Sequence, residues 1–405
     1  MKSLLVGLLL WSAVGAQAQA GAKVLSSETS AAHGAAPSSV DAGDYVYVSG
    51  QGPRSTDGSL PPTFAAQVRQ ALTNLKSVVE AEGLTMDHVV YTTVYLTDIR
   101  QYEEMNRVYG EFFGKIPPAR AVLGVAGLPD PPIQINAVAV RNLSERRAVY
   151  PPNYKSDEPF SPGILTRDRL FVSAMPGRKT SDDPAAQVDF ALDQMKAVVE
   201  AAGLSLGHMV FVNPYLTTQF PSRIMNQHYA QRFEFGNTPA RATIEVSSLP
   251  HGAQIEYTGV AVRDLKERRA IRPKNMPPSP TASPCVFAGD TLYCSAKSGF
   301  IPGPNGGVYT STTAVQLRQT MRNLLDNLEE ADMDFCQVVS TNVYLDDMAD
   351  MPEFDEVYGK YFRAELPART TIQQIAPAER SPDKDGHYPD LEQISLIAVR
   401  RDCHR

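Results

Sequence analysis

The sequence predicts an α+β fold built three times in tandem. Three observations carry that prediction. The phrase Pro118-Ala119-Arg120-Ala121 returns as Pro239-Ala240-Arg241-Ala242 and as Pro367-Ala368-Arg369-Thr370, so its arginines stand 121 and 128 residues apart. Other text repeats in phase: Val94-Tyr95-Leu96 with Pro214-Tyr215-Leu216 and Val343-Tyr344-Leu345, and Ala139-Val140-Arg141 with Ala261-Val262-Arg263 and Ala398-Val399-Arg400. Within each period, strand-like and helix-like patterns follow one another in the same order. Solenoid repeats run to about 20–50 residues, so this period marks a whole small domain.

Each copy opens on a hairpin, whose second strand is rich in β-branched and aromatic residues (Tyr45–Ser49, Leu170–Ser173, Thr291–Ser295). An amphipathic helix follows. Val68, Ala71, Leu72, Leu75, Val78 and Val79 recur at helical spacing before Gly83, and Val188, Ala191, Leu192, Met195, Val198 and Val199 do so before Gly203. The third copy keeps Leu317, Met321, Leu324 and Leu328 but has Asp332 in the glycine position. Next come a strand ending at the Tyr-Leu pair and a second helix with aromatics (Tyr109, Phe112 and Phe113; Tyr229, Phe233 and Phe235). Two closing strands begin at Pro-Ala-Arg. Such an order makes one sheet with helices on one face. The other face must also be covered, and three joined copies predict an intramolecular pseudo-trimer. The expected domains are 21–145, 150–266 and 276–405.

Residues 1–20 read as an export signal: Lys2, an apolar run from Leu4 to Gly15, then Ala16-Gln17-Ala18 and Ala18-Gln19-Ala20 as small-residue cleavage sites. That run is too short to span a bilayer, so an exported chain, periplasmic or secreted, is expected. A net charge of −7 over 405 residues argues against nucleic acid as a partner. The mixed-sign runs at Glu145-Arg146-Arg147 and Lys266-Glu267-Arg268-Arg269 read as solvated linkers or strand ends.

All four cysteines fall in the third copy. Cys285 and Cys294 lie symmetrically about the Gly289-Asp290 turn, so they face each other across a hairpin. That predicts a Cys285–Cys294 disulfide, and by elimination Cys336–Cys403; four ordinary core thiols are the alternative. No spacing suggests a metal site.

The arginine of the repeated phrase is either a structural tie or a planar fork for a carboxylate. In the second copy Arg241 is followed fifteen residues later by Glu256, on the returning strand. A hairpin of those strands is expected to bring both to one cleft, where Glu256 acts on water.

Pro-Ala-Arg-Ala, the following Leu-Pro, and Ile255-Glu256 leading to Val260-Ala261-Val262 together resemble the signature of the Rid/YjgF-type imine deaminases. The resemblance covers each copy over nearly its full length, including Ser49-Gly50-Gln51. It implies a chorismate-mutase-like (RidA-like) fold, trimeric assembly with clefts between subunits, and cofactor-free hydrolysis of 2-imino acids to 2-oxo acids and ammonia. By that resemblance Arg241 clamps a small carboxylate-bearing metabolite, Glu256 activates water, and Ser173, Asn226 and Phe160 line the pocket, with Phe160 standing for a family Tyr. Arg120 and Arg369 are the corresponding clamps of the other copies. There the Glu position holds Gln134 and Gln393, and Asp355 replaces the Asn kept as Asn106 and Asn226. An amide is no base near neutral pH. Glu392, beside Gln393, is expected to face the other side of its strand. A non-catalytic carboxylate- or protein-binding module is the alternative function.

Overall fold

Helix and strand signals settle into three like sheets. The computed structural model describes residues 24–25, 36–155, 157–175, 181–303, 306–362, 365–375 and 379–403; the expected export segment lies outside them. In the first domain the chain runs β1 (Val24–Leu25), β2 (Ser39–Asp41), β3 (Tyr45–Gln51), α1 (Phe64–Ala81), β4 (Val89–Leu96), α2 (Tyr102–Gly110), β5 (Ala119–Gly124) and β6 (Ile133–Val140). A linker strand β7 (Arg147–Val149) leads into β8 (Gly163–Leu165), β9 (Arg169–Val172), α3 (Pro184–Ala201), β10 (Met209–Thr217), α4 (Ser222–Ala230), β11 (Ala240–Arg241), β12 (Ile244–Val246) and β13 (Ile255–Val262). A second linker strand β14 (Arg268–Ile271) precedes β15 (Cys285–Ala288), β16 (Thr291–Ser298), α5 (Thr313–Glu330), β17 (Val338–Leu345), α6 (Met351–Tyr358), β18 (Ala368–Gln373) and β19 (Glu392–Val399).

The sheets have the orders β1-β2-β3-β6-β4-β5, β7-β8-β9-β13-β10-β11 and β14-β15-β16-β19-β17-β18, with β12 continuing the edge beside β10. The strand that begins at Pro-Ala-Arg is parallel to its neighbour in every domain, β12 is likewise parallel to β10, and the other pairs are antiparallel. Each linker strand extends the sheet of the domain it leads into.

Local signals explain the long helices. Thr63, Asp183 and Thr312 cap them, accepting from Ala66 N, Ala185 N and Val315 N. Gly83 and Gly203 end the first two with φ of +74° and +80°, and Asp332 takes φ +57° in the third. The left-handed stop is therefore kept where its glycine is not. Each long helix packs its apolar stripe on its own sheet, as with Val68, Leu72 and Leu75 against Val46, Val94 and Ile135.

The opposite sheet faces meet one another. Tyr95, Tyr215 and Tyr344, one from each domain, share a single buried cluster, and Tyr47, Phe171 and Val399 another with Val339 and Ala368. The three copies thus cover each other, as a pseudo-trimer requires.

The Glu-Arg-Arg runs prove to be more than solvated linker. Arg146 Nη2 donates to the carbonyls of Val89 and Ile116 at 3.0 and 2.9 Å, and Arg268 reaches Met209 O and Asn237 O at 2.9 and 2.8 Å. Each latches a linker onto the domain it leaves. Both disulfides are present, Cys285–Cys294 with Cα atoms 4.0 Å apart and Cys336–Cys403 with 5.7 Å. The second closes because β17 and β19 are adjacent, pairing Val338 with Ala398. His88 and His208 are caps: their Nδ1 atoms accept from Thr85 N and Ser205 N at 3.1 Å.

Candidate functional site

One buried serine ties each Pro-Ala-Arg strand to the next domain. Arg120 N donates to Ser173 Oγ at 2.8 Å, Arg241 N to Ser295 Oγ at 2.8 Å, and Arg369 N to Ser49 Oγ at 2.9 Å. The order is cyclic: domain 1 on 2, 2 on 3, and 3 on 1. The arginine of each cleft therefore comes from one domain and the serine side from its neighbour.

This arrangement corrects the expectation that Arg241 and Glu256 share a cleft. Arg241 pairs with Val212 of β10, whereas Glu256 pairs with Tyr215. Three residues along a strand is an odd step, so the two side chains leave opposite faces of the sheet. Arg241 turns toward α4, its guanidinium 5.3 Å from the Tyr229 ring and its Nη1 2.7 Å from Asn226 Oδ1. Glu256 turns to the face shared between domains. There it lines a cavity of about 10 Å³ with Tyr102, Arg120 and Val122 of domain 1 and Phe160, Ala174 and Pro250 of its own domain. That is roughly the space one water needs.

The first cleft thus joins Arg120, Glu256, Phe160 and Ser173. Arg120 is 2% exposed and sits among rings, 4.6 Å from the Tyr109 centroid, 5.3 Å from Phe160 and 5.9 Å from Tyr102. Aromatic faces attract the cation and hold the guanidinium in one plane. Its Nη1 is buried without a hydrogen-bond partner among the described residues. Burial pushes the Tyr109 phenol up to about 12, against the lowering effect of the Arg120 charge, and Tyr109 shares a 2.7 Å hydrogen bond with Thr92. Burial likewise raises Tyr102, which stays a phenol and donates to Glu158 Oε2 at 2.5 Å. Asn106, the first domain's counterpart of Asn226, is buried on α2.

Ser173 is wholly buried and spends both its hydrogen-bonding roles on the domain tie, accepting from Arg120 N and donating to Ser161 O at 2.6 Å. Its geometry is that of a strut.

The second cleft holds Arg241 and Asn226 with Ser295, and its Glu position is Gln393, which donates to Thr243 O at 3.2 Å. Burial lowers Arg241 from its ordinary value. In the third cleft Arg369 Nη1 lies 2.7 Å from Asp355 Oδ1, so an internal carboxylate already engages the clamp. Gln134 belongs to this side, packed so closely over Gly50 that a Cβ there would stand 2.5 Å from its Cδ. Glu392 does face away: it is buried on the helix side and accepts from Thr320 Oγ1. Counting thirteen residues back from Ser173, Ser295 and Ser49 gives Phe160, Ala282 and Ala36, so only the first cleft has an aromatic wall there.

Tyr102, Glu158 and His251 were not singled out from the sequence. Glu158 lies 3.9 Å from Arg120 Nη2, and His251 Nε2 lies 2.9 Å from Glu158 Oε1. All three have no counterpart in the repeated phrase, which is why the repeat does not reveal them.

Comparison with known proteins identifies the lineage. The endoribonuclease L-PSP family profile matches residues 27–141, 152–263 and 275–378. The chain belongs to that family. This is the Rid/YjgF group that the sequence resembles. A 2-iminobutanoate/2-iminopropanoate deaminase of Escherichia coli K12 is 42% identical over 107 residues, covering 25% of this chain and 84% of that protein. RutC family protein PH0854 of Pyrococcus horikoshii is 37% identical over 105 residues, covering 25% and 83%. A crystal structure of a chorismatase aligns with 77% of this chain and 94% of its own at 14% identity, with a TM-score of 0.51. At that identity the likeness concerns fold alone, and it extends well past a single domain. Among the described residues no helix is long and apolar enough to cross a membrane. The two disulfides are compatible with export.

Proposed function

We propose that the cleft between domains 1 and 2 hydrolyses 2-imino acids to 2-oxo acids and ammonia, outside the cytoplasm. The observation that carries this reading is that Arg120 and Glu256 line one small cavity although they come from different domains. A planar guanidinium suits the substrate carboxylate. The protonated imine carbon is already electrophilic, so the protein needs only to orient it and to deprotonate water. Glu256 takes a proton as the water oxygen bonds to C2, forming a carbinolamine. Return of that proton to nitrogen lets the C–N bond break while Glu256 takes the proton of the C2 hydroxyl, releasing ammonia and leaving the 2-oxo acid. No step calls for a cofactor. The other two clefts present Gln393 and Gln134 in place of the base, which argues against turnover there.

The test supplies imines from an amino-acid oxidase to the purified mature chain and follows their loss. Wild type should accelerate it, and Glu256→Gln should reduce kcat about 10²- to 10⁴-fold, the usual contribution of a positioned general base. Equal rates for the two proteins would refute the hydrolytic reading.

A further inference from the structure

Glu158 stands where a substrate carboxylate would approach. Its Oε2 lies 3.9 Å from Arg120 Nη2 and accepts from Tyr102 at 2.5 Å, while its Oε1 is 2.9 Å from His251 Nε2. Phe160 N donates to Glu158 O at 2.8 Å, a tight turn that fixes the backbone beside the aromatic wall. The Arg120–Glu256 cavity itself holds about 10 Å³, too little for any 2-imino acid. On the far side of Glu158 and His251 opens a groove of about 440 Å³, lined by Pro152, Tyr154, Met175 and Ala197 together with the polar Asn153, Lys155 and Gln194. The same carboxylate is thus the neighbour of the clamp and a wall of the groove. The second cleft has no such device, since Pro280 and Ala282 stand where the first has Glu158 and Phe160.

We propose that Glu158 is an internal carboxylate that closes the first cleft, and that its withdrawal joins clamp and groove into one site for 2-imino acids with large apolar side chains. This rests on the hydrolytic reading of the Arg120–Glu256 cleft. The entering carboxylate takes the Arg120 fork, including the Nη1 that has no hydrogen-bond partner among the described residues. Glu158 keeps His251 as its partner, so no charge is stranded. The substrate side chain then lies along Tyr154, Met175 and Ala197, exchanging water for apolar contact.

Binding of the 2-oxo acid products tests this without requiring turnover. The 2-oxo acids of alanine and of leucine are titrated calorimetrically into wild type, Glu158→Gln, Glu158→Ala and Ala197→Trp, with thermal unfolding as the check on folding. Removing the competing carboxylate should tighten both ligands about tenfold, because the open fraction multiplies the affinity. Ala197→Trp should weaken the leucine-derived acid about tenfold more than the alanine-derived one, roughly the weight of a side chain's apolar contact. Glu158 variants that bind no more tightly than wild type, or an Ala197→Trp that weakens both ligands alike, would overturn the proposal. If binding follows the expected pattern but no imine is consumed, Glu158 is the gate and the hydrolytic reading fails. If imines are consumed and the Glu158 variants bind as wild type does, the reverse holds.

Discussion

Ser173 and Ser295 make the same two hydrogen bonds at two different clefts, so removing each separates structural from catalytic weight. Ser173 Oγ accepts from Arg120 N at 2.8 Å and donates to Ser161 O at 2.6 Å. Ser295 Oγ accepts from Arg241 N at 2.8 Å and donates to Ser283 O at 2.6 Å. Both serines are buried, at 0% and 5% exposure. Mutation to Ala leaves one buried N–H and one buried carbonyl without a partner, at about 1–3 kcal/mol each, so about 2–6 kcal/mol of stability is expected to go in either case. Urea unfolding should show equal losses. Imine turnover should not be equal. Ser173→Ala releases the strand that aims Arg120 and should lower kcat/KM about tenfold or more, the usual cost of small misplacements at a reacting centre. Ser295→Ala should leave turnover unchanged. If both variants lose activity equally, or if only Ser295→Ala does, Arg120 is not the working clamp.

The remaining predictions concern stability. Free thiols counted under denaturing, non-reducing conditions should be near zero. The Cys336–Cys403 bond spans 67 residues and Cys285–Cys294 nine, so chain entropy assigns them about 4 and about 2.5 kcal/mol. Urea unfolding of Cys336→Ser/Cys403→Ser should show the larger loss. The third domain should also be more stable in mild acid. Burial raises Asp346 to about 7, opposed by Arg380 and reinforced by Asp350, and burial raises Asp390 to about 6. The folded chain holds protons there that the unfolded chain has released, so the contribution is present in acid and is lost as pH rises from about 4 through about 7. The melting temperature should fall by a few degrees between pH 5 and pH 8, and Asp346→Asn should flatten that slope. A slope unchanged in Asp346→Asn would sink the assignment.

The architecture was legible because repetition doubles every local signal. The stripe from Val68 to Val79, its copy from Val188 to Val199, and the Gly83 and Gly203 stops each announce the same helix, and even Asp332 keeps the stop. The cysteine hairpin was legible for a similar reason: strand symmetry about Gly289-Asp290 is a local matter. What sequence could not supply was which face meets which neighbour. Arg241 and Glu256 lie close in sequence and on the two strands that flank β10, yet strand parity sends them apart. Arg120 and Glu256 are distant in sequence and meet only because the three sheets close in a ring. Glu158, Tyr102 and His251 belong to no repeat and are brought together by that closure alone. The Arg146 and Arg268 latches were hidden too, since a charged run gives no hint that backbone carbonyls of the preceding domain await it.

Replacing the arginines one at a time tests the shared cleft most directly. Arg120→Ala and Arg241→Ala are compared for imine turnover, with melting curves to confirm folding. Losing a buried charged partner of a carboxylate costs about 2–5 kcal/mol, so Arg120→Ala should lower kcat/KM at least about thirtyfold while Arg241→Ala stays near wild type. A protein that loses activity with Arg241→Ala and keeps it with Arg120→Ala would contradict a site shared between domains 1 and 2.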